Sequence, residues 1–541
     1  MNFDYLQSFP ELKKLHEYCA EAEEFVVYKP SISAAAARKA IEYIVKMIYI
    51  SLVGEAEASS RTIFEITQDV RFTNYLNDPT LLGTIHYIRK MGNVAVHDGT
   101  VTQAESHKVL EELHFLVGEF CILLGLVEDY PEFVPPQAAP KAPAAPPSEP
   151  ARKAVTVEPA VAAKFAPRMR QVKFNVAFRR DEEENKKLFL RASLREAGWP
   201  IVEQENQPLP GSAGVRMLLD GGDCADYILY GRDSRPLAVV EYTLTSQNIV
   251  AGRKLGLRMA ETLSRKYGYQ PVVYYTNGYH IYVIDQLGYP PRRVFQFHSL
   301  EELELLQLRA GTRMDITSPQ IDDNITNRDY QKNAICAACQ AFSQNRRHSL
   351  LVMATGTGKT RISIALTDVL MKASWVKNVL FLADRTSLVR QAHKNFNRLL
   401  PSVTTALYTG GGGSRDASAR IIFATYQTMI NLISGDAREF SSGRFDLIII
   451  DEAHRSIFKK YGVLFQYFDA LMLGLTATPR GDENKSTYQV FELRNGRPDY
   501  AYELEEAIED GFLVGFSVLD RTTDALRRGI YYDELSDEDK E

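Results

Sequence analysis

Runs of apolar residues divide this chain into sections with different periods. Residues 33–53 and 106–126 carry apolar side chains at helical spacing, which predicts an all-α N-terminal module over 1–130. Residues 131–150 break the pattern: eight of the twenty are proline and five are alanine, so the stretch builds no core and favours an extended backbone. A linker over 131–170 is expected. Between 171 and 306 helix and strand alternate. One helix opens at 182–188 and ends near Gly198 and Trp199, and 226–231 and 237–243 read as paired strands. A helix follows over 251–267, then a hairpin over 271–285 that turns at Asn277-Gly278. Beyond 320 the apolar runs are short and unbroken. Residues 349–353 and 445–450 predict buried parallel strands, with a helix over 361–371, so the section 320–500 reads as α/β.

The string Ala354-Thr355-Gly356-Thr357-Gly358-Lys359-Thr360 occupies the turn between strand 349–353 and the helix after it. Backbone N–H groups converge on an anion in such a turn, so phosphate belongs there. Lys359 reaches the β- and γ-phosphates of ATP and the Thr360 hydroxyl joins a Mg²⁺ shell. The strict pattern has glycine at 353, where this chain has Met353. Asp451 and Glu452 follow at the end of strand 445–450, 92 positions after the lysine. Asp451 suits Mg²⁺ and Glu452 suits the attacking water, since phosphoryl transfer needs positioning and charge neutralisation. The bland alternative is a surface acidic pair.

Together with Asp451-Glu452-Ala453-His454, this P-loop resembles the first motor domain of DEAH-type superfamily 2 helicases, over about 321–498. The resemblance implies a RecA-like domain with a parallel sheet. It also implies ATP contacts from Thr355, Gly356, Thr357, Gly358, Lys359, Thr360, Asp451 and His454. Arg328-Asp329-Tyr330-Gln331 looks like the adenine-reading motif, with the Gln331 carboxamide offering a donor and an acceptor to the base and Arg328 beside it. Arg385, Thr409, Gly410 and Thr425 fall in motifs that grip a nucleic-acid backbone without reading sequence. Thr476 and Thr478 fall in the motif that couples hydrolysis to movement. For the loop from Gly410 to Gly413, a merely flexible glycine run is the alternative.

Asp226 opens one predicted strand and Glu241 lies on the next, an arrangement suited to chelating the Mg²⁺ of a phosphodiesterase. The strings A-G-W, A-D-Y-x-L-Y-G, P-L-A-V-V-E and Y-T-N-G-Y, in this order before a DEAH motor, resemble the nuclease domain of the motor (R) subunit of type I restriction endonucleases. That family's acidic positions fall on Glu184, Asp226 and Glu241, which implies a restriction-endonuclease-like fold over 171–306. The family continues with a lysine two residues after the glutamate, where this chain has Thr243. Its downstream glutamine and tyrosine are replaced by Leu255 and Met259. Lys254 is a candidate substitute from the following helix.

The string 88–97 resembles a short helical domain related to the HEPN nucleic-acid-associated fold. Arg89 and His97 are spaced more widely than in its nuclease members, which leaves a polar cluster or docking surface as the stronger reading.

What the resemblance implies is an ATP-dependent translocase of double-stranded DNA that cleaves unmodified DNA, with methyltransferase (M) and specificity (S) subunits as partners. A stand-alone DEAH-type helicase of repair or antiviral defence with a decayed nuclease, or a non-catalytic ATP-binding scaffold, are the alternatives. Composition changes this little. The 541 residues carry a formal charge of −6, so a nucleic-acid track must be local. Five scattered cysteines fit a reducing cytoplasm, and Cys336 and Cys339 share one predicted helix, where packing is the expected role. No apolar run is long enough to span a membrane. After Pro479 no arginine-finger motif of a second motor domain follows, so the chain reads as the N-terminal portion of a longer polypeptide, with 501–541 leading into that domain.

Overall fold

The computed structural model describes residues 1–58, 61–77, 79–97, 101–136, 155–172, 182–202, 209–218, 224–243, 249–278, 280–409, 415–434, 438–453, 455–477, 491–493 and 497–515, with the side chains of 79, 80, 97, 182–186, 215–218, 224 and 455–460 excepted. Up to residue 172 the described elements are all helices. Helix Pro30–Val53 lies at their centre, with Ile41, Ile44, Val45 and Ile48 fully buried, because Lys13–Phe25, Pro79–His97 and Gln103–Leu124 pack around it. Each such aliphatic side chain contributes about 1.5–3 kcal/mol. Helix Gln103–Leu124 starts at a reciprocal Thr102–Glu105 capping box and stops at Gly125, whose φ of 67° closes the last turn.

The linker expectation needs correcting. Residues 131–136 return to the helical bundle, where the Val134 N–H donates to Asn2 Oδ1 at 2.8 Å. Within the same expected linker, Pro159–Gln171 is a helix packed on Pro30–Val53. Pro159 fits its first turn, and Ala162, Phe165 and Met169 bury one face. Composition argued for an extended chain, but this helical period outweighs it.

Two seven-stranded sheets follow among the described residues. The first runs in sequence order through β1 (Ile201–Val202), β2 (Ala213–Leu218), β3 (Cys224–Tyr230), β4 (Pro236–Tyr242), β5 (Val272–Thr276), β6 (Ile281–Ile284) and β7 (Arg292–Val294). It is mixed: β1 with β2 and β4 with β5 are parallel and the other pairs antiparallel. Helix Val250–Tyr267 makes the parallel crossover between β4 and β5.

The second sheet comprises β8 (His348–Met353), β9 (Val379–Ala383), β10 (Thr405–Tyr408), β11 (Ile421–Thr425), β12 (Leu447–Asp451), β13 (Leu471–Thr476) and β14 (Tyr500–Tyr502), in the order β10-β11-β9-β12-β13-β8-β14. All its pairings are parallel. Helices cover both faces, which is why β12 is apolar without alternation: Leu447 and Ile449 enter one core, Ile448 and Ile450 the other. The chain is a multidomain α/β protein. Its sheet extends past the expected boundary at 500, because β14 pairs with β8 and Tyr502, 1% exposed, stacks on Tyr330.

Buried charge joins the sections. Asp469 of the second sheet accepts from Arg292 and Arg347 at 2.7 Å each and faces His298 Nε2 at 3.2 Å. These contacts weld the edge of the first sheet to the second. Removing one partner from such a buried network is costly, because the charge left behind stays out of water.

Candidate nucleotide and nuclease sites

In a parallel sheet, ligands bind beyond the carboxyl ends of the strands where the strand order reverses. The turn after β8 lies there, with β13 on one side and β14 on the other. Gly356 and Gly358 both have φ near +90°, a conformation that L side chains rarely adopt. A Cβ on Gly358 would lie 2.4 Å from Gln331 Nε2. Helix Lys359–Lys372 starts immediately after, so its free N–H groups face the turn. Thr357 is buried and ties the loop shut by donating its hydroxyl to the Ala354 carbonyl at 2.7 Å. Lys359 Nζ donates to the Met353 carbonyl at 3.2 Å, which holds its chain back across the loop.

On the far side of β13, β12 delivers Asp451 and Glu452. Lys359 Nζ stands 4.0 Å from Glu452, so cation and carboxylates share one cleft. Glu452 adopts a left-handed φ of 55°, which costs a non-glycine residue about 1–3 kcal/mol, and strain of this kind gathers at functional sites. Burial, then the neighbouring Glu452, pushes Asp451 up to about 6, with Lys359 pulling the other way. A largely buried Asp451 that resists ionisation, next to a second carboxylate, is a donor set suited to a hard cation. Thr360 is half-buried at the first turn of the helix. These residues fit a nucleotide phosphate chain with its Mg²⁺.

The adenine expectation meets a difference. Gln331 is 2% exposed, its Nε2 donates to the Thr357 carbonyl at 2.8 Å, and its Oε1 accepts from the Thr326 hydroxyl. Both ends of the carboxamide are engaged within the protein, so in this structure Gln331 braces the P-loop. Exposed Arg328 lies over the Phe512 ring at 5.0 Å and donates to Tyr330 OH at 2.8 Å. Sequence reasoning gave no role to Tyr330, whose hydroxyl also donates to the Thr357 carbonyl, or to Tyr426, whose hydroxyl donates to the Asp451 carbonyl at 3.0 Å. Tyrosines abutting motif residues were the signal available.

Thr409 follows β10, Thr425 ends β11 and Arg385 lies two residues past β9, so the three stand on adjacent strands along the same edge as the P-loop. Arg385 is exposed, Thr409 buried, and Thr425 shares its hydroxyl with Thr428 at 2.9 Å. Thr476 ends β13 and is fully buried. Gly410, His454 and Thr478 lie outside the described residues.

On the first sheet, the antiparallel register that pairs Tyr227 with Val240 sets Asp226 beside Glu241 on the face covered by helix Val250–Tyr267. Glu241 is 2% exposed, and Asp226 Oδ2 accepts from the Tyr242 N–H at 2.7 Å. Two oxygen donors on neighbouring strands suit Mg²⁺ in kind. Among the described residues no three acidic, histidine or cysteine side chains gather to hold a metal, and the side chain of Glu184 lies outside them.

The crossover helix meets this sheet through glycines. A Cβ on Gly256 would lie 2.6 Å from Val273 Cγ1 and 3.3 Å from Glu241 Cγ, and one on Gly252 would lie 2.9 Å from Thr243 Cγ2. Lys254 therefore cannot stand in for the missing lysine. It is exposed, about 200° around the helix from Gly252 at 3.6 residues per turn, and faces away from the carboxylates.

Comparison with known proteins bears first on the second sheet. Residues 324–481 match the family model of the type III restriction enzyme, res subunit. The endonuclease subunit of the type I restriction enzyme EcoAI of Escherichia coli is 32% identical over 355 residues, which cover 60% of this chain and 42% of that subunit. The EcoKI endonuclease subunit of Escherichia coli K12 is 32% identical over 211 residues, covering 35% and 17%. A solved fragment of an HsdR subunit of a type I restriction enzyme from Vibrio vulnificus YJ016 shares 27% identity over 61% of either chain, at a TM-score of 0.29. The chain is thus similar to the endonuclease subunits of type I restriction enzymes, and β8 to β13 of its second sheet lie in the segment that matches the res-subunit model. It matches less than half the length of these two curated relatives. Among the described residues no helix is long and apolar enough to cross a membrane.

Proposed function

We propose that the chain is the nuclease and first-motor portion of the R subunit of a type I restriction-modification enzyme. In that reading ATP hydrolysis at the Lys359, Asp451 and Glu452 cleft drives movement along double-stranded DNA. The Asp226 and Glu241 pair, with Glu184, cuts unmodified DNA. The restriction-endonuclease-like section is 171–306, the motor section 320–500 with its edge strand β14, and M and S subunits supply target choice and methylation. The observation that carries the reading is one chain with two carboxylate pairs on separate sheets. One stands 4.0 Å from a P-loop lysine, and the other lies on paired strands of the sheet that precedes the motor.

The chemistry divides accordingly. Lys359 and the turn's N–H groups would bind the phosphates, Asp451 and Thr360 would hold Mg²⁺, and Glu452 would orient water. Asp226 and Glu241 would hold the nuclease Mg²⁺, which supplies electrostatic stabilisation at the scissile phosphate. The test is a separation of function in the enzyme assembled with M and S subunits. Asp226→Asn or Glu241→Gln should abolish cleavage of unmethylated DNA and leave ATP turnover intact, whereas Lys359→Ala should stop both. An assembly that translocates yet never cuts, with Mg²⁺ or Mn²⁺, would sink the nuclease half. It would favour a helicase with a decayed nuclease, a reading supported by Thr243 and by the outward position of Lys254.

A further inference from the structure

Helix Pro79–His97, the end of helix Glu182–Glu196 and the motor meet at one carboxylate. Glu196, 6% exposed, pairs with Arg438 at 3.0 Å, Arg89 at 3.6 Å and Lys90 at 3.9 Å, and accepts from Asn93 Nδ2 at 3.0 Å. Three cations face Glu196, Arg38 adds its field to that of Arg89, and a second carboxylate, Glu302, reaches the cavity wall through Ser441 and Tyr467. Burial pushes Arg89 down to about 10 and Lys90 to about 8, so both are protonated at neutral pH and the junction keeps an excess of positive charge.

Two polar groups there lack partners. Arg89 is 3% exposed, yet among the described residues it makes only the long ion pair and no hydrogen bond, and its Nε is buried without an acceptor. Asn93, 5% exposed, gives its amide to Glu196, and among the described residues its buried Oδ1 has no donor. Such orphans in a packed junction need a water, an ion or a ligand to satisfy them. Asn93, Glu196, Gln296, Arg438, Ser441 and Tyr467 line a cavity of about 300 Å³ at this point. That is the lower end of the range of about 300–1,000 Å³ that holds small molecules. Arg89 lies one helical turn from Asn93, behind Glu196.

We propose that this junction binds a small phosphate-bearing anion, with Arg438 donating to the phosphoryl oxygens, Arg89 and Lys90 supplying charge, and Asn93 Oδ1 accepting from a ligand O–H. Arginine forks suit phosphoryl geometry, and the excess of positive charge matches a dianion. Hydrogenphosphate or a sugar phosphate brings the O–H that Asn93 needs, whereas sulfate does not. Because helical section, first sheet and motor each supply a wall, an occupant would tie the three together.

The test uses the 541-residue chain carrying Lys359→Ala, so that the P-loop is silent. Binding of inorganic phosphate, sulfate and adenosine monophosphate is measured by calorimetry at constant ionic strength. Saturable phosphate binding in the millimolar range or tighter is expected, stronger than sulfate, and weakened about tenfold or more by Arg438→Gln or Asn93→Leu. Tighter adenosine monophosphate would point to a nucleotide as the source, and tighter inorganic phosphate to the free ion. If Arg438→Gln does not fold, Asn93→Leu and the sulfate comparison decide. No saturable phosphate binding, or binding indifferent to Asn93→Leu, would overturn the site.

Discussion

The two carboxylate pairs of this protein stand on two seven-stranded sheets and differ in what surrounds them. Asp451 and Glu452 end a strand beside an open phosphate-binding turn, with Lys359 held at 4.0 Å and the backbone of Glu452 strained to aim it. Asp226 and Glu241 lie mid-sheet beneath a helix that approaches through Gly252 and Gly256, closely enough that a methyl group would not fit. The first pair has its counter-charge built in. The second has a tight roof and a threonine at the position where charge was expected. The motor cleft therefore sets a cation beside its carboxylates, while under the proposed function the Asp226 and Glu241 pair would need a metal for compensation.

The contrast breaks most sharply at Lys359. In a folded Lys359→Ala variant, ATP turnover of the assembled enzyme should fall by about 10²–10³-fold or more, since one preorganised charge at the phosphate is lost. Nucleotide binding to the chain and DNA cleavage that needs ATP should fall with it. Unchanged turnover would remove the distinction between the pairs.

Protonation offers a second handle on the same cleft. Asp451, raised to about 6 from an unfolded value of 3.8, binds a proton more tightly folded than unfolded. Its contribution to stability is thus fully present below about 3.8 and lost as pH rises through about 6. At neutral pH without nucleotide, Asp451→Asn should be more stable than the parent by about 2–3 kcal/mol, with the gap closing toward pH 4. Thermal unfolding of both proteins from pH 4.5 to 7.5 measures it. Mg²⁺ with nucleotide should reverse the order at neutral pH, because only the parent has the carboxylate.

How much could be read in advance follows the same divide. The motor's parts lie within short strings: glycines, lysine and threonine in seven residues, Asp451 beside Glu452. Local pattern was enough to name them and their strands. What escaped was assembled across the chain. Gln331 supplies an amide to the P-loop 26 residues away, and Glu196 meets Arg438 across 242 residues. Composition misled at Pro159–Gln171, where the spacing of Ala162, Phe165 and Met169 was the better guide. Arg89 and Asn93 meet at Glu196, while the side chain of His97, the third member of the expected polar cluster, lies outside the described residues. In the sheet before the motor both strands and the helix after them were legible, but the close approach of that helix through Gly252 and Gly256 was not, because packing distance leaves no mark on helical periodicity.

That roof makes Thr243→Lys an instructive failure. Restoring the expected lysine should not restore charge to the site, since Thr243 is 7% exposed and Gly252 lies against its methyl. Overpacking there should cost about 1–3 kcal/mol in denaturant unfolding, without a gain in cleavage. Enhanced cleavage with unchanged stability would show that the helix yields and that the second pair is as open as the first.

The smallest effect tests the outward lysine. Lys254 is exposed on the side of helix Val250–Tyr267 opposite Gly252 and Gly256, so its ammonium group is separated from Glu241 by the helix itself. Lys254→Ala should change stability by no more than about 0.5 kcal/mol, the usual range for a surface substitution away from special features. Cleavage by the assembled enzyme should stay within about twofold of the parent, because an exposed charge screened by water contributes little at a buried carboxylate. The comparison to make is with Glu241→Gln in the same assay. If Lys254→Ala suppresses cleavage as strongly as Glu241→Gln while ATP turnover holds, the helix must rotate or lift when DNA binds. The closed roof would then describe the resting protein, and the two carboxylate pairs would differ in state rather than in design.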